Sequence, residues 1–340
     1  MVSIILPNLN TPLNFLKARI ASILQQTFMN WECIIIDGYS DNGSWECLQE
    51  MVVTDTRFRF YQRPRKGIYD AWNEGLKLVT FEYVYIAPSD DTMQPDFLEK
   101  MVAGLEQFKH CSIAHCCLEI IDSDGLKSNI KNWDSFHHLK YFNNEVNVRH
   151  IRYAPLDAII YCNIGSVYTS FTQLLIRKKV FNTIGVFLTD QGTIADFEWC
   201  LRAAFIFNTL HIPEYLATWR VHENQATNDS MLGTAFLYEK YMFFIKQAIK
   251  TDRQTGLLDH SYSIKHLQFH YFVVAVKIEL QSIKSAFQRL KLIATALLQY
   301  PLSFGLFTIK TLLGFKRESG FIFARRQIAK YNLHNNVELV

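Results

Sequence analysis

No C-x-x-C pair occurs among the seven cysteines of this 340-residue chain, and their number is odd. Neither a disulfide framework nor a thiolate zinc site is expected, and a reducing compartment follows. No basic stretch precedes the apolar start, Met1-Val2-Ser3-Ile4-Ile5-Leu6, and Pro7 breaks it, so the start reads as a buried strand rather than a secretory signal. Ile293 to Ile309 runs seventeen residues without a charge, short of the ~20 that a bilayer span needs. Pro301 and Gly305 interrupt that run, which points to a helical hairpin or an interfacial segment. Internal repeats and low-complexity stretches are absent, and a net charge of +3 is too small to imply a nucleic-acid partner.

With 49% apolar residues the chain can bury a large core. Its charge is unevenly placed: Lys284 to Lys330 holds nine Lys or Arg against Glu318 alone, a net +8 that leaves −5 for the remainder of a +3 chain. Residues 2–7, 31–37 and 82–87 are short apolar, β-branched or aromatic runs of the kind that parallel strands buried on both faces require. Between them Leu13, Leu16, Ile20, Ile23 and Leu24 recur at helical spacing, as do Tyr69, Trp72, Leu76 and Val79. The alternation predicts an α/β fold with a Rossmann-like, mostly parallel sheet flanked by helices, whose ligands sit at the carboxyl ends of the strands. From about 122 to 170 the pattern is irregular, and helical patterns return from about 235 to 298.

Three polar clusters fall just after apolar runs: Pro7-Asn8-Leu9-Asn10, Asp37-Gly38-Tyr39-Ser40-Asp41-Asn42-Gly43-Ser44, and Pro88-Ser89-Asp90-Asp91. Any one alone is explained as a strand-to-helix turn. Three at successive strand ends mark the edge where a nucleotide would lie. Adjacent carboxylates such as Asp90 and Asp91 repel unless a cation bridges them to a ligand, as hard divalent ions do for diphosphate; the alternative is a helix cap with a solvated Asp.

The order P-x-x-N, W-E-x-I-I-I-D-G-x-S-D, K-G-I-Y-D-A-W-N-E-G and S-D-D resembles glycosyltransferase family two, the inverting family with the GT-A fold. Lys66 to Gly75 looks like its branch devoted to bacterial surface polysaccharides. Ala195-Asp196-Phe197-Glu198-Trp199-Cys200-Leu201-Arg202 and Leu216 to His222 resemble its acceptor-side motif and the strand after it, so the likeness covers roughly 1–230. It implies a catalytic domain over 1–230, with a nucleotide-sugar half at 1–121 and an acceptor half at 122–230. A helical C-terminal region follows at 231–340.

The resemblance implies an inverting transfer of one sugar from a nucleotide-diphosphate donor, a UDP-sugar first, to an acceptor hydroxyl in cell-surface polysaccharide synthesis. Asp37 matches the position reading base or ribose, with Pro7, Asn10, Asp70, Asn73 and Asp90 also on the donor side. Asp91, assisted by Asp90, matches the carboxylate for Mn²⁺ or Mg²⁺, and His222 is a further candidate ligand. Asn73 has a structural amide as its alternative, and His222 a loop histidine. Asp196 matches the general base, with Glu198 as the competitor; on a helix the two lie about 200° apart, so only one can face the substrate.

Two departures stand out: Gln62-Arg63-Pro64-Arg65 carries arginines where the similar branch has acids, and Pro88 replaces an acid or amide. The basic tail, interleaved with large apolar residues, suits an anionic inner leaflet or a helical cap packed on the domain. A cytoplasmic enzyme, peripheral to that leaflet and acting on a lipid-linked or oligosaccharide acceptor, is expected. The other readings are a nucleotide-sugar-binding pseudoenzyme or scaffold and a nucleotidyltransferase. Retention of Asp91 and Asp196 speaks against the first, and the lack of a Gly-rich basic loop after the first strand against the second.

Overall fold

The structure, a computed structural model, describes residues 1–64, 66–128, 139–222, 243–248, 250, 272, 276, 280, 283–312, 320–330 and 336–340. β1 (Val2–Asn8) and β2 (Trp31–Asp37) are buried along their whole length, as apolar runs without alternation require. With β3 (Phe58–Gln62) and β4 (Tyr83–Ile86) they form a parallel block in the order β3-β2-β1-β4. α1 (Leu13–Leu24), α2 (Ser44–Met51) and α3 (Ile68–Leu78) make the crossovers.

Successive β1 side chains enter opposite cores: Ile5 joins Ile34, Ile36 and Trp72, whereas Ile4 and Leu6 join Leu16, Ile20 and Ile35. α3 lies so close to β1 that a Cβ on Gly75 would sit 2.4 Å from Ile5 Cγ2, so this helix needs glycine at its contact. That close seat sets the position of the α3 N-terminus at the sheet's carboxyl edge.

Beyond β4 the sheet becomes mixed, which refines the mostly parallel expectation. α4 (Phe97–Gln107) leads into β5 (Cys111–Ile121). The region from 139 to 170, irregular in sequence, contains α5 (Leu139–Phe142), β6 (His150–Arg152) and α6 (Leu156–Asn163). β7 (Leu174–Arg177) runs antiparallel between β4 and β5, and α7 (Lys178–Ile184) and α8 (Ala195–Ile206) follow. β8 (Asn208–Arg220) is parallel to β5 and antiparallel to β6.

The expected halves at 1–121 and 122–230 therefore share one sheet, which has nine strands among the described residues. The boundary at 230 lies outside the described residues. α9 (Ala286–Gln299), α10 (Pro301–Leu312) and α11 (Gly320–Lys330) belong to the C-terminal region. That region returns to the sheet as β9 (Val337–Leu339), paired antiparallel with β6.

Candidate active site

The carboxyl edge of the parallel block opens into a cavity of about 440 Å³. The ends of β1 and β2 (Pro7, Asn10, Asp37), the start of α3 (Asp70), Asp90 and His222 line it. Its floor is a polar knot. Asn8 Nδ2 donates to Asp37 Oδ1 at 2.8 Å and to the hydroxyls of Ser40 and Ser44 at 3.2 and 3.0 Å. The Asp37 carboxylate, fully buried, also accepts from the Ser40 N–H (3.0 Å), the Ser40 hydroxyl (2.6 Å) and Gln62 Nε2 (3.1 Å). Both its oxygens are thus held before any ligand arrives, which gives a rigid acceptor at the cavity floor. Asn10, at φ 53°, exchanges two hydrogen bonds with Asp41 (2.8 and 2.9 Å), a left-handed turn that Asn tolerates.

The adjacent carboxylates divide their roles differently from expectation. Asp91 is 1% exposed and is not among the residues facing the cavity. Its Oδ1 accepts the backbone N–H of Arg220 at 2.8 Å, and burial, with Asp90 beside it, pushes its carboxyl well above the usual carboxylate range. Asp90 faces the cavity and meets His222 Nε2 at 3.1 Å. The carboxylate of the pair that faces the cavity is therefore Asp90, and Asp91 is the buried tether behind it.

The tether has company that sequence reasoning did not single out. Arg220 Nε donates to the Asp90 carbonyl at 2.8 Å, and its guanidinium covers the Phe15 ring, which lies 5.2 Å from the His222 ring. Arg19, fully buried on α1, donates from Nε to the Pro88 carbonyl at 2.9 Å and from Nη2 to the Tyr85 hydroxyl at 3.0 Å. A charged residue beside Ile20 in the apolar stripe of α1 was the available signal.

On the acceptor side Asp196, in the first turn of α8, lines a small pocket with Tyr161, Ser166, Tyr168 and Phe171. Its carboxylate accepts the Phe197 N–H at 2.7 Å and the Tyr69 hydroxyl. Burial nevertheless pushes its pKa up to about 6, against the lowering effect of those hydrogen bonds. Tyr69, apolar in its helical spacing, thus carries a polar role its sequence pattern concealed. It bridges the two sites, because its α3 neighbours Ile68 and Asp70 line the larger cavity.

Glu198 is corrected from candidate base to structural acid. It is 1% exposed and grips Arg202 through two bonds of 2.7 and 2.9 Å, while Arg202 also donates to the carbonyls of Ile184 and Val186. Asn73 is corrected as well: its amide exchanges two hydrogen bonds with the Phe187 backbone (2.9 and 3.0 Å) and does not line the cavity. Arg63 and Lys66 do line it, whereas Arg65 lies outside the described residues.

Among the described residues no group of three His, Cys, Asp or Glu could hold a metal ion alone. Asp90 and His222 supply an oxygen and a nitrogen ligand on one wall of an open cavity. That pair fits a divalent ion whose remaining positions come from a diphosphate and water.

The profile of glycosyl transferase family 2 matches residues 3–184, more than half of the chain and all of the parallel block but Val2. The chain belongs to glycosyl transferase family 2. It is 27% identical over 254 residues to a glycosyltransferase of Rickettsia conorii, covering 70% of this chain and 38% of that one. It is 29% identical over 126 residues to the putative teichuronic acid biosynthesis glycosyltransferase TuaG of Bacillus subtilis, covering 37% and 49% respectively. The chain therefore spans less than half the length of either relative.

Among solved structures, Staphylococcus aureus TarS in complex with UDP-GlcNAc superposes with a TM-score of 0.60 at 14% identity, over 86% of this chain and 78% of that one. This likeness supports the GT-A fold for the family 2 chain, including its mixed second half.

Proposed function

We propose that this family 2 chain transfers a sugar, with inversion, from a nucleotide-diphosphate donor to an acceptor hydroxyl in cell-surface polysaccharide synthesis. The observation that carries the reading is the pairing of two sites across α3: a cavity walled by Asp90 and His222, and a half-buried Asp196 with its pKa raised to about 6. TarS binds UDP-GlcNAc, which makes a UDP-sugar the first donor to test here.

The donor's nucleotide lies against Pro7, Asn10 and Asp37, with its diphosphate toward Asp90 and His222. Asp90 and His222 would hold a divalent ion, Mn²⁺ or Mg²⁺, which would supply Lewis-acid stabilisation of the leaving diphosphate. Asp196, deprotonated above about pH 6, accepts the acceptor hydroxyl proton as the oxygen attacks the anomeric carbon. The bond to the diphosphate breaks on the opposite face. Tyr69 holds the Asp196 carboxylate in place. Arg63 and Lys66, on the cavity rim, suit a negatively charged donor. The acceptor is an oligosaccharide or lipid-linked glycan, met at the cytoplasmic face of a membrane.

The test is a thermal-shift series with UDP, GDP and their sugars, with and without Mn²⁺, followed by turnover with the best donor. Stabilisation that needs both nucleotide and Mn²⁺ supports the donor site. Binding without any transfer, in the presence of glycan acceptors, would favour the sugar-binding scaffold instead.

A further inference from the structure

The C-terminal helices α9 and α10 meet at a 114° bend and each shows two unlike faces. Inward, Ala296 is buried and Tyr300, Phe304 and Phe307 pack on the core that also contains Trp72 and Trp199. Outward, α9 presents Phe287 (76% exposed), Leu290 (65%), Leu297 and Leu298 (81%), which fall within an arc of about 100° at helical spacing. α10 presents Leu302 (84%), Leu306 and Ile309 within about 60°. Single exposed leucines are ordinary, but two consecutive helices that each carry such a stripe mark an interaction face.

Charge selects the partner. Lys284, Arg289 and Lys291 are exposed on or beside α9, and no Asp or Glu occurs from 280 to 317. At about 21 and 18 Å the helices are too short to cross a hydrocarbon core of ~30 Å, and among the described residues no single helix is long and apolar enough to do so. Leucine stripes edged by cations, on helices too short to span, match the chemistry of an anionic lipid surface entered in plane.

We propose that the outer faces of α9 and α10 form a lipid-docking wedge, its elbow at Leu298 and Leu302, that seats the enzyme on an anionic bilayer. The wedge is independent of the glycosyl-transfer reading. Tyr300, Phe304 and Phe307 tie it to the core that contains Trp72 of α3 and Trp199 of α8.

The experiment is co-sedimentation of the full chain with phosphatidylglycerol or phosphatidylcholine vesicles, beside sedimentation velocity without lipid. Binding is expected to anionic vesicles only and to fall with salt. Leu298→Ser with Leu302→Ser should lower it about tenfold or more. Lys284→Gln and Lys291→Gln should each lower it roughly fivefold at low salt. The thermal midpoint of every variant should be unchanged, because all four side chains are exposed.

Equal binding of the double serine variant overturns the proposal. So does a concentration-dependent dimer that the same two substitutions abolish, which would make a second copy the occupant. Attachment that resists both salt and carbonate would mean an inserted hairpin and would also overturn the in-plane wedge.

Discussion

The Asp91 carboxylate accepts the backbone N–H of Arg220 at 2.8 Å, and this bond joins the loop after β4 to the end of β8. Thr92 and Thr218 continue the seam: the Thr218 N–H reaches the Thr92 carbonyl at 2.9 Å and the Thr92 N–H reaches the Thr218 hydroxyl at 2.9 Å. Two segments more than a hundred residues apart are thereby stitched so that His222, two residues past Arg220, meets Asp90. The candidate metal pair exists because of a buried neighbour that is not itself part of it.

This division of labour separates the two carboxylates experimentally. Asp90→Asn and His222→Ala should each weaken Mn²⁺-dependent nucleotide binding at least tenfold with little change in the metal-free thermal midpoint. Asp91→Ala, which removes the acceptor of the Arg220 N–H, should instead lower the stability by about 1–3 kcal/mol, the cost of leaving that buried donor unpaired. Isothermal titration and differential scanning fluorimetry on the three variants check this; an Asp91 variant as stable as the wild type would refute it.

Asp196→Asn should lower turnover by roughly 10²–10⁴, the usual share of a general base, without loss of donor affinity. Its stability effect has a defined sign. The folded carboxyl titrates near 6 and its ordinary value is 3.8, so between those pH values the unfolded chain has lost a proton that the folded chain keeps. Rising pH therefore costs the wild type stability through that window. Asn has no such cost, so the variant should be more stable by about 1–3 kcal/mol above pH 6, and the gain should vanish below about pH 4. Denaturant melts at pH 4 and pH 8 measure it.

Tyr69→Phe removes a hydrogen bond that lowers the Asp196 pKa. The acid limb of the kcat/KM profile should then move to higher pH, with a modest loss of maximal rate. An unmoved limb would mean that Tyr69 only packs, or that Asp196 is not the titrating base.

Glu198→Gln should behave oppositely to Asp196→Asn. Breaking one partner of a buried pair leaves the Arg202 charge uncompensated, at about 3–5 kcal/mol. A lowered midpoint with turnover per folded molecule largely retained is expected from parallel melting and rate measurements. Loss of turnover with the fold intact would return Glu198 to the candidate bases.

Sequence alone determined the parallel block and the polar ends of its strands. Apolar runs buried on both faces and helices of regular spacing are local patterns, and Pro7, Asn10, Asp37 and Asp90 come to one edge wherever such units stack. The acceptor-side motif was legible only through its resemblance to family 2, carried by Ala195 to Arg202. What the spacing could not settle is which member faces the ligand. Asp90 and Asp91 are neighbours in the chain, and only the Arg220 N–H, arriving from β8, draws one of them inward. Asp196 and Glu198 were separable only as alternatives until the carbonyls of Ile184 and Val186 were seen to anchor Arg202 and commit Glu198 to it. Tyr69 looked apolar because its ring is buried at helical spacing, and its hydroxyl acquires a partner only when α8 packs across α3. Each of these choices depends on a contact between distant segments, and side-chain direction at a site is fixed by such contacts rather than by the periodicity of the chain that carries it.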